Sequence, residues 1–197
     1  MGKNIVVFDI ETKNTFDEVG GRDGFAKLGI SVLGLYDYED GEFRIYEEGE
    51  LGKFAERLSR RPLLVGFNSR KFDVPVLQPY IKFGLAKFPQ LDIMEEITNF
   101  LGHRVSLDSV AQATLNAKKS GSGLDAIKYF REGRFDELKK YCLDDVRLTR
   151  DLYEHGAKHG ELLCASKFGG DPKLAKVSWK IENPEEAAGG NPQQSLF

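Results

Sequence analysis

Cysteine is scarce. Two cysteines in 197 residues, Cys142 and Cys164, make neither a disulfide framework nor a zinc site. They read as reduced thiols of a cytosolic protein. Long apolar runs are missing too: none approaches the roughly 18 residues that a bilayer-crossing helix needs, so no membrane partner is expected. "MGKNIVVFDIET" is too short and too acidic for a secretion signal. Val6 stands where a myristoylation motif takes Ser or Thr. These readings predict a cytoplasmic protein, nucleoid-associated if bacterial. Positive charge is not in excess either. A net charge of −3 argues against a broad basic coat for nucleic acid but not against a local, metal-mediated grip. Repeats are absent. "GSG" at 121–123 is too short for a phosphate loop and reads as a hinge or turn. His155 and His159 have a metal-pair spacing, but Gly156 intervenes and no acid follows usefully, so they read as solvated.

Hydrophobic residues make up 41 % and charged residues 30 %, as in a soluble globular protein. "NIVVFDIE" reads as a strand. "ISVLGLYDY" and "EFRIYEE" are two more, joined through Asp40-Gly41, a hairpin signal. "ELGKFAERLSRR" carries Leu51, Phe54, Ala55 and Leu58 at helical spacing. "PLLVGFN" is a short buried strand. Helical stretches follow: "DVPVLQPYIKFG", "DIMEEITNFLG", "SLDSVAQATLN", "GLDAIKYFREG" and the long "RFDELKKYCLDDVRLTRDLYEHGAKHG", which ends at Gly156 or Gly160. This order predicts an α/β fold, a sheet with helices packed against it. The folded domain is placed over 1–168, with an extension and polar tail over 169–197.

Asp9 and Glu11 interrupt an oily strand. Residues i and i+2 share a face, so the two carboxylates converge while Ile10 points the other way. Burying them is costly unless they are paired or bind a metal. Asn68 and Asp73 follow the fourth strand at a helix start, where Asp73 alone reads as an N-cap. Tyr141 and Asp145 are four apart on the last helix, on one face. Basic residues cluster at 57–62, 68–73 and 116–123, the last two near these acids.

Taken together, "FDIET", "FNSRKFD" and "YCLDD" resemble the DEDD superfamily of 3′–5′ exonucleases. The likeness extends to the proofreading domains of family B DNA polymerases and to small stand-alone relatives. It covers residues 4–155 and implies an RNase H-like mixed sheet flanked by helices. One branch of that superfamily has a His five residues before the last Asp; Lys140 occupies that position here, and Tyr141 places the chain in the Tyr branch. The resemblance implies two divalent ions, Mg²⁺ or Mn²⁺, held by Asp9, Glu11, Asp73 and Asp145. Two such ions about 3.5–4 Å apart activate water and neutralise the leaving oxygen in phosphodiester hydrolysis. Tyr141 would orient the water; its ordinary pKa near 10 makes it a poor base. Thr12 and Asn68 match family positions near the terminal nucleotide; Phe72 reads as a residue that stacks on a base or, equally well, as core. The expected substrate is single-stranded DNA, with RNA as the alternative.

The terminus "QQSLF" resembles the short sliding-clamp-binding peptide of bacterial replication and repair proteins, with Gln193, Ser195, Leu196 and Phe197 as its anchors. Gln194 departs from that pattern, which usually has Leu. Two other readings compete. "FDIET" also resembles the DxDxT nucleophile motif of haloacid-dehalogenase phosphatases, but Glu11 replaces Asp. A clamp adaptor with a silent nuclease fold is the non-enzymatic reading; the presence of all four acids and the Tyr opposes it.

Overall fold

The computed structural model describes residues 3–119, 121–166 and 170–179. Five strands, β1 (Ile5–Thr12), β2 (Ile30–Asp37), β3 (Glu42–Glu47), β4 (Leu63–Gly66) and β5 (Gln90–Asp92), form one sheet. Their order is β3-β2-β1-β4-β5. β1, β2 and β3 pair antiparallel, and β1, β4 and β5 pair parallel. This is the mixed α/β sheet expected, with helices on both faces.

Alternation along β1 divides the core in two. Val6, Phe8 and Ile10 face α1 (Leu51–Leu58) and α2 (Asp73–Leu77), where Leu51, Phe54, Leu58, Val76 and Leu77 are buried. Ile5 and Val7 face the opposite layer of α3 (Ile93–Leu101), α4 (Leu107–Leu115) and α6 (Phe135–His159). Each fully buried aliphatic or aromatic side chain contributes about 1.5–3 kcal/mol, which keeps β1 from slipping register. Helix α5 (Gly123–Arg131) packs beside α6. It begins with a capping box in which the Ser122 hydroxyl accepts from the Asp125 amide and the Asp125 carboxylate accepts from Ser122. The "GSG" stretch therefore starts a helix. Helix α6 runs through Gly156 and ends at Gly160, whose φ of 70° suits glycine.

Three elements differ from expectation. Strand β5 is only three residues long and carries no alternating pattern. The helix expected over 73–84 is a five-residue α2 followed by a 3₁₀ turn over 78–80, because Pro75 and Pro79 limit α-helical continuation. Beyond α6, β6 (Glu161–Cys164) and β7 (Lys173–Lys176) form a hairpin. It buries Leu162, Cys164, Ala175 and Val177 against the same core as α4 and α6. Trp179 then lies parallel to the Tyr153 ring and donates to the Tyr153 carbonyl. A Cβ at Gly156 would stand 2.3 Å from Trp179, so the glycine inside α6 is a seat for the indole. Strand β7 and Trp179 thus lie in the stretch beyond residue 168 that was expected to be an extension; strands of four residues are too short to mark the sequence pattern. The peptide Gln193, Ser195, Leu196 and Phe197 lies outside the described residues. Among the described residues no helix is long and apolar enough to cross a membrane.

Candidate active site

β1 supplies the first two acids. Its odd residues face α6, so the alternation that buries Ile5 and Val7 also aims Asp9 and Glu11 at that helix. Ile10 lies in the opposite core layer, as the two-residue period requires. Helix α6 brings Tyr141 and Asp145 down to the strand. Its approach depends on Gly34, which pairs with Asp9 across the β1–β2 ladder. A Cβ at Gly34 would sit 2.9 Å from Cys142 Sγ and 3.0 Å from Val146 Cγ2, so any side chain there would push α6 away.

Carboxylate oxygens of Asp9, Glu11 and Asp145 lie within 4.8 Å of one another. Asp73 stands at the first turn of α2 and does not cap it. Its Oδ1 instead accepts from the Ile10 amide at 3.1 Å, which ties α2 to β1 beside the trio. The four acids from three distant segments therefore meet, three in one cluster and Asp73 adjoining it.

The electrostatics are those of crowded, desolvated carboxylates. Burial, then repulsion from Asp73, Glu11 and Asp145, holds the Asp9 carboxyl well above its usual range. Burial and then Asp145 do the same to Glu11. Asp73 is pushed up to about 7 by burial, against the opposing pull of the Ile10 amide. Burial also raises Asp145, and Lys119 counters it. Burial first, and the neighbouring acids Glu11 and Asp145 next, push the Tyr141 phenol upward, so its proton stays on. The Tyr141 hydroxyl lies close enough to Asp145 to feel it. Yet neither this hydroxyl nor Asp145 Oδ1 has a well-formed hydrogen bond among the described residues.

Lys119 is the cation that motif reading missed, although it lies in the basic run at 116–123. Its Nζ is 2.6 Å from Asp145 Oδ2 and 5.0 Å from the centre of the Tyr141 ring. Asp145 and Asp9 outweigh its burial and keep it charged. Asp92 was also missed. It is buried and caps α3 at the Glu95 amide (3.2 Å). The same carboxylate accepts from the amides of Asn68 (2.8 Å) and Arg70 (3.1 Å), which shapes the loop that leads to Asp73. An Asp that opens a helical-looking run signals only a cap; its second role is tertiary.

A hard, all-oxygen donor set that is buried and strongly self-repelling fits a divalent cation such as Mg²⁺ or Mn²⁺. The orphaned Asp145 Oδ1 leaves an acceptor to spare, and the ammonium of Lys119 already stands where positive charge is favoured.

Of the expected substrate contacts, Thr12 is buried and donates its hydroxyl to the Asn14 carbonyl at 3.0 Å. Asn68 has a φ of 67° and accepts from Arg104 at 3.0 Å. The Phe72 ring packs edge-on against Phe16 and Phe25, with centroids 5.8 and 6.4 Å away. It belongs to a half-buried aromatic cluster, which favours the core role over a free stacking platform. Asp144 pairs with Arg147 on the exposed side of α6. Both late acids sit within a helix, whereas the haloacid-dehalogenase pattern wants them on a loop after a strand.

Comparison with known proteins agrees with this geometry. The RNase_H_2 model, described as RNase_H superfamily, matches residues 6–157. A DNA-directed DNA polymerase of Enterobacteria phage T3 is 34 % identical over 168 residues, covering 79 % of this chain and 22 % of that polymerase. The chain thus spans about a fifth of the length of this relative. Among solved structures, RNase D of Trypanosoma brucei superposes with a TM-score of 0.55 at 17 % identity, covering 78 % of this chain and 57 % of that one. The same RNase D in complex with RNA U12 gives 0.57 at 18 % identity, covering 78 % and 55 %. These last two are likenesses of fold. The chain shares its fold with RNase D and belongs to the RNase H superfamily.

Proposed function

We propose that the protein is a divalent-metal-dependent 3′–5′ exonuclease that shortens single-stranded DNA. The observation that carries this reading is the convergence of Asp9, Glu11 and Asp145 within 4.8 Å, with Asp73 alongside. Cations held there would supply Lewis acidity at the phosphate and lower the pKa of water. Asp9, Glu11 and Asp145 would hold one ion, and Asp9 with Asp73 a second. The Tyr141 hydroxyl keeps its proton and has an acceptor and a donor capacity free, so it orients the attacking water and does not take its proton. Asn68, fixed by Asp92 and Arg104, borders the end of the strand at which a terminal nucleotide would lie.

RNA is the second reading, since the same acids serve either polymer and the fold is shared with an RNase D bound to RNA. The C-terminal peptide Gln193, Ser195, Leu196 and Phe197 is proposed to dock on a sliding clamp and tether the enzyme to DNA, which raises its local concentration there. This peptide is what favours DNA and a role in replication or repair.

The test is a time course on 3′- and 5′-labelled single-stranded DNA and RNA with Mg²⁺, Mn²⁺ or EDTA. Progressive loss from the 3′ end of DNA, abolished by EDTA, is expected. Faster loss of RNA would reverse the substrate assignment, and metal-independent loss would overturn the site.

A further inference from the structure

Arginine in this molecule is nearly always neutralised. Among the described residues, every arginine whose side chain is described lies within 4 Å of a carboxylate, except Arg61 and Arg104. Arg61 is occupied otherwise: it donates to the Lys87 carbonyl and lies over the Phe88 ring. Arg104 makes one hydrogen bond, to Asn68 Oδ1 on the loop between β4 and α2, and is otherwise exposed.

Arg104 also lines a small cleft between the α3–α4 loop and the β6–β7 hairpin. His103, Ser109 and Lys173 share that lining, and among the described residues no carboxylate contributes to it. Lys173 has no ion-pair partner among the described residues. The floor is apolar and buried, from Val105 and Cys164. Both walls are fixed. The Ala165 amide donates to the Ser109 carbonyl, and Thr114 exchanges two hydrogen bonds with the Leu163 backbone at 2.8 and 2.9 Å. A cleft with fixed walls that carries Arg104 and Lys173, with no carboxylate among its described lining, is complementary to an anion and costs little ordering when one binds. Arg104 links it to Asn68, on the loop that leads from β4 to Asp73 at the start of α2.

We propose that this cleft seats a backbone phosphate of the single strand upstream of its 3′ end, held by Arg104 and Lys173. The inference rests on the exonuclease reading of the acid cluster and adds a path for the strand: past Asn68, then between the α3–α4 loop and the hairpin. Arg104 would hold both Asn68 and the phosphate, coupling the grip on the strand to the position of its end.

The test measures binding of the full chain to a fluorescent ten-nucleotide oligothymidylate, and in parallel an oligouridylate, in EDTA, across a salt series. Each lost phosphate contact lowers the salt slope on a single strand by about 0.7. Arg104→Gln and Lys173→Gln are each expected to lower it by that amount. The double variant is expected to bind about tenfold more weakly near 0.1 M salt, with an unchanged melting temperature. Arg104→Lys should restore the slope. Lys173 does not touch Asn68, so its effect separates phosphate binding from mere support of Asn68. Slopes and affinities equal to those of the unsubstituted protein would overturn the cleft while leaving the exonuclease reading intact. A parent protein that binds neither oligonucleotide in EDTA overturns the cleft, while the exonuclease reading stands or falls on the metal-dependent time course.

Discussion

At the scale of the residue, the cluster trades stability for charge. Asp9→Ala or Asp145→Ala should abolish nuclease activity on a labelled oligonucleotide. In EDTA, either variant should melt at or above the parent temperature, because a buried repulsion is removed. A variant as active as the parent would refute the assignment. The sign of the pH dependence follows from the same shifts. Asp73 is raised from 3.8 to about 7 in the fold, so the native state holds its proton over that range while the unfolded chain gives it up. The contribution of Asp73 to metal-free stability is therefore full below about pH 4 and is lost as pH rises towards 7. Melting curves in EDTA at pH 5 and pH 7.5 should show the loss, and Asp73→Asn should reduce it. The face shared by Asp9 and Glu11, and that shared by Tyr141 and Asp145, were legible from strand and helix periods; that the two faces meet was implied only by the family resemblance. Lys119 and Asp92 were not, since their partners lie 26 and 24 residues away and no local period records them.

At the scale of the element, one missing side chain sets the distance between α6 and the sheet. Gly34→Ala would place a methyl 2.9 Å from Cys142 Sγ in a packed layer. Overpacking of this kind costs about 1–3 kcal/mol. The push would also displace Asp145 from Asp9, so turnover should fall beyond what stability explains. Adding Cys142→Ala should recover part of both, measured by chemical unfolding and by rate. A Gly34→Ala protein with the parent's stability and rate would contradict the close approach. Nothing local marks Gly34 as a spacer, because glycine inside a strand reads as a weak point or a bulge. The three- and four-residue strands β5, β6 and β7 escaped notice for a related reason. Their strand character comes from partners and burial, which a run so short does not encode.

At the scale of the whole molecule, the β6–β7 hairpin closes the helical layer. Ending the chain at residue 168 would strip Ala175, Val177 and Trp179 from that layer. The truncated protein should melt well below the parent. Trp179→Ala, at a half-buried site over Gly156, should cost about 2–3 kcal/mol, below the 3–5 typical of a fully buried aromatic. Calorimetry of both checks the claim, and a truncation that melts with the parent would return the domain boundary to residue 168. The ammonium of Lys119, finally, is an internal counter-charge to the acids. Being tethered, it is never dilute, so the pocket stays partly neutralised with no divalent ion bound. Chelation should switch activity off reversibly, and a Lys119→Met protein in chelator should be the fragile one, regaining its stability when magnesium returns.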